Sequence, residues 1–235
     1  MGTRTALIIP TLNEADSIAA VIAEVPHASV DEIIVADGGS SDATCARAAQ
    51  AGARLVTAGR GYGRACLAGA IAAVDAEILV FMDGDGADDP AMIAAMTQPI
   101  ACGAVDFVIG SRVRGRAAAH SMGRHQRWAG LALGLAMRIL YGVRFTDMCA
   151  LRAIRRPVLL QLGMREMTYG WNLEMQIKAP RAGLRICEVT LPYYRRVAGA
   201  SKVAGNWRGT INASTRILVT LARVGFGHKK RPRTL

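Results

Sequence analysis

The stretch Leu79-Val80-Phe81-Met82-Asp83-Gly84-Asp85 runs four apolar residues into two carboxylates one glycine apart. Alternation along an extended chain points Asp83 and Asp85 to the same side, and Gly84 permits a bend there without steric cost. Paired hard oxygens at the carboxyl end of a buried strand suit Mg2+ or Mn2+. These ions are held by one or two carboxylates together with the phosphates of a substrate. A polar turn with two solvated aspartates is the plainer reading of an isolated Asp-x-Asp, so the surrounding residues decide.

The elements that must carry this pair are readable from the pattern. Strand signals cover residues 5–9, 32–36, 54–57, 78–82 and 107–110, and Ala-rich helical stretches lie between them at 17–25, 42–51, 63–74 and 90–96. Strands alternating with helices predict an α/β fold with a mostly parallel central sheet flanked by helices. In such sheets ligands sit at the carboxyl ends of the strands. Those ends are Pro10-Thr11-Leu12-Asn13-Glu14, Asp37-Gly38-Gly39-Ser40, Gly59-Arg60-Gly61-Tyr62-Gly63 and Asp83-Gly84-Asp85, all polar or glycine-rich. Turn chemistry alone does not explain four such ends in succession.

Charge divides the chain. Residues 1–110 hold 5 Lys/Arg against 14 Asp/Glu, net −9, while residues 111–235 hold 24 against 4, net +20. An acidic half suits metal and base recognition, and a basic half suits phosphates or an anionic membrane face. Aromatic residues are only 5% and no nucleic-acid-binding motif is present, so nucleic acid is not an expected partner. Five scattered cysteines without a Cys-x-x-Cys pair fit reduced thiols in a cytoplasmic protein. No secretion signal precedes the first strand, and the apolar run 129–137 is too short to span a bilayer. A cytoplasmic location is therefore expected, with the basic half able to rest on the inner face of a membrane.

The second half has helical signals at 122–141, 157–162, 169–179 and 207–224, a strand signal at 184–189, and a basic tail at 229–233. No repeat or linker separates it from the first, which predicts one domain over 1–235. Its carboxylates near motifs are Asp147 and Glu174. A hydroxyl acceptor would need one of them as general base, whereas a phosphate acceptor is already anionic and needs none. The sequence leaves both open, and it carries no signal for oligomeric state.

In chain order, Pro10-Thr11-Leu12-Asn13-Glu14, Asp37-Gly38 with Ser40 and Asp42, Asp83-Gly84-Asp85, Gly110-Ser111-Arg112 and Arg196-x-x-Gly199-x-Ser201-Lys202 resemble the motifs of a family 2 glycosyltransferase with the GT-A fold. The resemblance spans residues 5–205 and is strongest to the branch acting on dolichol phosphate or another polyprenyl phosphate with mannose or glucose. It implies inverting transfer of a hexose from a UDP- or GDP-linked sugar, with Mg2+ or Mn2+ held by Asp83 and Asp85. It further implies a donor site of Pro10, Thr11, Glu14, Asp37, Gly38, Arg60, Asp83, Gly84 and Asp85, closed by Arg196, Ser201 and Lys202 over the diphosphate. Arg112, with Arg124 or Arg127, would meet an acceptor phosphate. Asp85 is the expected catalytic metal anchor. Glu174 falls where many family 2 enzymes place a catalytic carboxylate, and Asp147 is the other candidate. Relatives often carry Lys where Arg60 stands, and Arg keeps the charge but not the geometry.

Two other readings compete with this one. A sugar-phosphate nucleotidyltransferase opens with a glycine-rich loop after its first strand, where this chain has Pro10-Thr11-Leu12-Asn13-Glu14. An inactive basic scaffold would have no use for the intact Asp83/Asp85 pair.

Overall fold

The computed structural model of the chain describes residues 2–112 and 145–192. Arg124, Arg127, Arg196, Ser201 and Lys202, and the helices expected at 122–141 and 207–224, lie outside the described residues.

The described strands are β1 (Thr5–Thr11), β2 (Glu32–Asp37), β3 (Arg54–Thr57), β4 (Ile78–Phe81), β5 (Phe107–Ser111), β6 (Arg152–Arg155) and β7 (Ile186–Thr190). The helices are α1 (Ile18–Ala23), α2 (Thr44–Gln50), α3 (Tyr62–Ala72), α4 (Ile93–Ala101), α5 (Arg156–Gln161) and α6 (Trp171–Arg181). Seven strands form one sheet in the order β3-β2-β1-β4-β6-β5-β7. The pairs β1/β2, β2/β3, β1/β4 and β5/β7 are parallel. Only β6 runs antiparallel, to both β4 and β5.

Strand alternation explains why both faces need helices. Along β1, Ala6 and Ile8 pack on one side with Ala65, Cys66 and Ala70 of α3 and Trp171 and Leu173 of α6. Leu7 and Ile9 pack on the other with Ile18 and Ile22 of α1 and Ile93 and Met96 of α4. Every residue of β1 and β4 is buried, as expected for strands covered on both faces. Close packing of α3 on the sheet shows at Gly69, where a Cβ would sit 2.5 Å from Cγ2 of Ile8.

Two features place the site. The chain leaves β1 toward β2 on one side and returns to β4 on the other, so a crevice opens at the carboxyl ends of β1 and β4. The antiparallel β6 starts at that same end, which brings residues 145–151 to the crevice. The sequence pattern did not predict β6. Its residues, Arg152-Ala153-Ile154-Arg155, have a charged residue at each end and no apolar alternation to reveal them. Arg152 is nonetheless fully buried, donating to the carbonyls of Asn172 and Cys149.

Candidate active site

The strand ends converge on a cleft of about 760 Å3. Its walls include Pro10, Thr11, Glu14, Gly38, Arg60, Asp83, Gly84, Asp85 and Arg112. Of the predicted site residues among those described, Asp37, Asp147 and Glu174 are not on the cleft wall.

The Asp83–Asp85 segment leads into a turn rather than extending β4, yet both aspartates line the same cleft. Gly84 does not have a positive φ; the bend falls at Gly86, with φ of 74°. Space explains Gly84 better: a Cβ there would lie 3.2 Å from both Ile9 Cγ2 and Thr11 Cγ2. Ser17 Oγ donates to the Gly84 carbonyl at 2.6 Å, pinning the turn to the start of α1. Asp85 is 7% exposed and its Oδ1 accepts from the Ala87 N–H at 3.0 Å. Behind the pair lies Asp88, which the sequence reading passed over inside an acidic run. It accepts from the Asp83 N–H at 3.4 Å and from Cys149 Sγ at 3.6 Å. Burial pushes its carboxyl up, while nearby Arg112 pulls the other way.

No described cluster of three or more His, Cys, Asp or Glu residues could enclose a metal by itself. Two carboxylates on one cleft wall are the donor set that Mg2+ or Mn2+ requires when the remaining ligands are phosphate oxygens and water. The residues present therefore fit such an ion.

The loops after β1 and β2 brace each other. Asn13, with φ of 54°, is the only described non-glycine residue with positive φ, a turn position that Asn tolerates. Its N–H donates to Ser40 Oγ at 2.8 Å, and its Oδ1 accepts from the Ser41 N–H at 2.9 Å. Asp37 accepts from the N–H groups of Gly39 and Ser40 and from Ser40 Oγ. Burial opposes ionisation of Asp37, but the Ser40 hydroxyl and these N–H groups outweigh it and hold the carboxyl below its usual range. Asp37 thus shapes the loop that presents Gly38 to the cleft.

On the far wall, Asp147 grips Arg112 with both oxygens. Oδ2 accepts from Arg112 Nε at 2.8 Å and Oδ1 from Nη2 at 2.9 Å. Oδ2 also accepts from the Arg112 N–H at 3.0 Å. Burial disfavours the cation, but the Asp147 contact prevails and raises the guanidinium above its ordinary value. The neighbouring Thr146 is fixed by Glu188, which accepts from its N–H at 2.7 Å and its Oγ1 at 2.9 Å. Glu174 is 1% exposed. Its Oε2 accepts from the N–H groups of Arg165 and Glu166, at 2.9 and 2.7 Å, and its Oε1 pairs with Lys178 Nζ at 2.9 Å. The cleft also takes Tyr62, Met148, Thr168, Tyr169 and Asn172, none of which the sequence reading singled out as site residues. Only Tyr62, set inside the glycine-rich loop, carried a signal that could have flagged it.

The model for glycosyl transferase family 2 matches residues 6–163. The chain belongs to that family. This glycosyltransferase is 34% identical over 217 residues to an uncharacterized glycosyltransferase of Mycobacterium bovis, covering 90% of this chain and 95% of that one. It is 32% identical over 223 residues to the polyprenol monophosphomannose synthase of Mycolicibacterium smegmatis, covering 86% and 82% respectively. Among solved structures it resembles glucosyl-3-phosphoglycerate synthase from Mycobacterium tuberculosis in complex with Mn2+, uridine-diphosphate-glucose and glycerol 3-phosphate. The TM-score is 0.75 at 25% identity, covering 97% of this chain and 82% of that one. The glycosyltransferase therefore has the GT-A architecture that its motifs implied. Among the described residues, no helix is long and apolar enough to cross a membrane.

Proposed function

We propose that this glycosyltransferase moves a hexose, with inversion, from a UDP- or GDP-linked sugar to a polyprenyl phosphate or another lipid-linked phosphate at a membrane surface. The donor diphosphate would lie over Asp83 and Asp85, with Glu14, Gly38 and Arg60 lining its nucleotide end. A Mg2+ or Mn2+ ion held by the two aspartates would offset negative charge on the departing nucleotide. Arg112, aimed by Asp147, would receive the acceptor phosphate, since a guanidinium fork suits phosphate oxygens. Arg124 and Arg127 are assigned to the same acceptor, and Arg196, Ser201 and Lys202 to closure over the diphosphate, on their motifs alone.

One observation carries the choice of acceptor. Residues 111–235 contain only four carboxylates, Asp147, Glu166, Glu174 and Glu188, and each already accepts hydrogen bonds within the protein. Neither Asp147 nor Glu174 lines the cleft, so using either as a general base would first require bringing it to the acceptor. An acceptor that arrives ionised avoids the requirement. Similarity to a polyprenol monophosphomannose synthase supports the same reading. Calorimetric titration with UDP- and GDP-hexoses, with Mn2+ and with EDTA, tests the donor half. Metal-dependent binding of one nucleotide class is the expected result, and equal binding in EDTA contradicts it.

A further inference from the structure

Among the described residues, the glycine-rich loop on one side of the cleft and the 164–168 loop on the other meet through backbone. Gly61, the residue before α3, has φ of 129° and no side chain to cap the helix. The Met167 carbonyl caps it instead, accepting from the Arg64 N–H at 3.0 Å. A Cβ on Gly61 would collide with the carbonyl oxygen of Met167, and one on Gly63 with that of Glu166. Only glycines allow this approach. Residues 165–167 do not line the cleft, but Arg60, Gly61 and Tyr62 on one side and Thr168, Tyr169 and Asn172 on the other do.

Glu174 locks the 164–168 loop in that position. Oε2 takes the Arg165 and Glu166 N–H groups, and Oε1 takes Lys178 Nζ, which also donates to the Gly163 carbonyl at 2.6 Å. Glu166 Oε1 then accepts from the Thr168 N–H and Oγ1 at 3.2 and 2.5 Å. Hydrogen bonds thus run from Glu174 to Thr168 on the cleft wall, and backbone contact runs from Glu166 and Met167 to the glycine-rich loop.

We infer that Glu174 is a positioning residue that sets the donor-side glycine loop and the 164–168 loop as one unit, so that nucleotide binding at the first orders the second. The inference rests on the cleft being the nucleotide-sugar site. A glutamine at 174 can still accept from the two N–H groups, but its amide then faces the Lys178 ammonium, donor against donor. Gly63→Ala disturbs the 164–168 loop from the other side, through the Glu166 carbonyl.

Amide hydrogen exchange reads the link directly. Without ligand, Gly63→Ala should speed exchange at the Arg165 and Glu166 amides while leaving β1 amides unchanged. Unaltered exchange at both amides overturns the inference whatever the substrate is. If Gly63→Ala does not fold, Lys178→Met serves in its place, with the same result expected. With UDP or GDP plus Mn2+, the wild type should slow exchange at those two amides and Glu174→Gln should not. Nucleotide bound by calorimetry without that slowing contradicts the link, whereas no binding of either nucleotide by wild type defeats the functional reading instead. In turnover, Glu174→Gln should lower kcat/KM about tenfold, as for loss of a charge-assisted contact, with the pH profile unchanged in shape. Loss of one pH limb would mark a general base and overturn the positioning role.

Discussion

Asp83 and Asp85 are presented by a turn that Gly84 and Ser17 hold against β1, so the charge of either can be removed with little effect on packing. Asp85→Asn keeps the acceptor for the Ala87 N–H and loses the anionic ligand. Transfer should fall about a hundredfold or more, since metal stabilisation of a leaving group is worth several kcal/mol. Steady-state rates against Mn2+ concentration check this, and wild-type turnover in the variant would remove the metal role. Asp147→Asn acts on the opposite wall. It removes the Asp147 charge that orients Arg112, so the acceptor KM should rise about tenfold, the scale of one charge-assisted hydrogen bond. Donor affinity by calorimetry should hold. The motif residues from Pro10 to Arg112 were readable because each strand ends in polar or glycine residues. The Arg112–Asp147 pair was not. It joins residues 35 apart in sequence, and it depends on a strand that no pattern announced.

At the level of elements, the first five strands and four helices follow the expected order, with helix ends shifted by a few residues. The expected helix at 90–96 is a 3-10 turn over Pro90–Met92 that continues as α4. The Asp89 side chain caps the turn by accepting from the Ala91 N–H. What the pattern missed is β6, because its buried arginine reads as a surface residue in any count of apolar positions. Arg152 is kept inside by the carbonyl of Asn172, 20 residues along the chain, and by that of Cys149 just before the strand, and the first of these is tertiary information. The starts of β5 and β7 are tied by Asp106, which accepts from Arg185 Nε at 3.0 Å and Nη2 at 2.8 Å. The Arg185 contact holds the Asp106 carboxyl below its usual range. Its folded pKa is thus below the unfolded value of about 3.9, so its stabilisation is full above about pH 4 and disappears as pH falls through the folded value. Thermal melts between about pH 5 and pH 2 should show a shallower decline for Asp106→Asn than for wild type. Parallel curves would show that this tie does not contribute.

Across the whole molecule, most of the cleft lining comes from the acidic first half, and the net charge of +20 lies in residues 111–235. Each Lys or Arg near an anionic surface contributes about 1 kcal/mol, and salt screens the attraction. The protein should therefore sediment with phosphatidylserine-containing liposomes at low salt and be released at about 1 M salt. Failure to bind at low salt would leave the glycosyltransferase activity in place without a membrane site. Transfer to a lipid phosphate at the Asp83/Asp85 cleft can be read by incubating the protein with Mn2+, polyprenyl phosphate and a panel of UDP- and GDP-hexoses labelled in the sugar, then extracting into organic solvent. Label should enter the organic phase from one nucleotide class, require Mn2+, and fall to background in Asp85→Asn. Label that stays aqueous with polyprenyl phosphate, but passes efficiently to a soluble alcohol or a soluble phosphate ester, would contradict it.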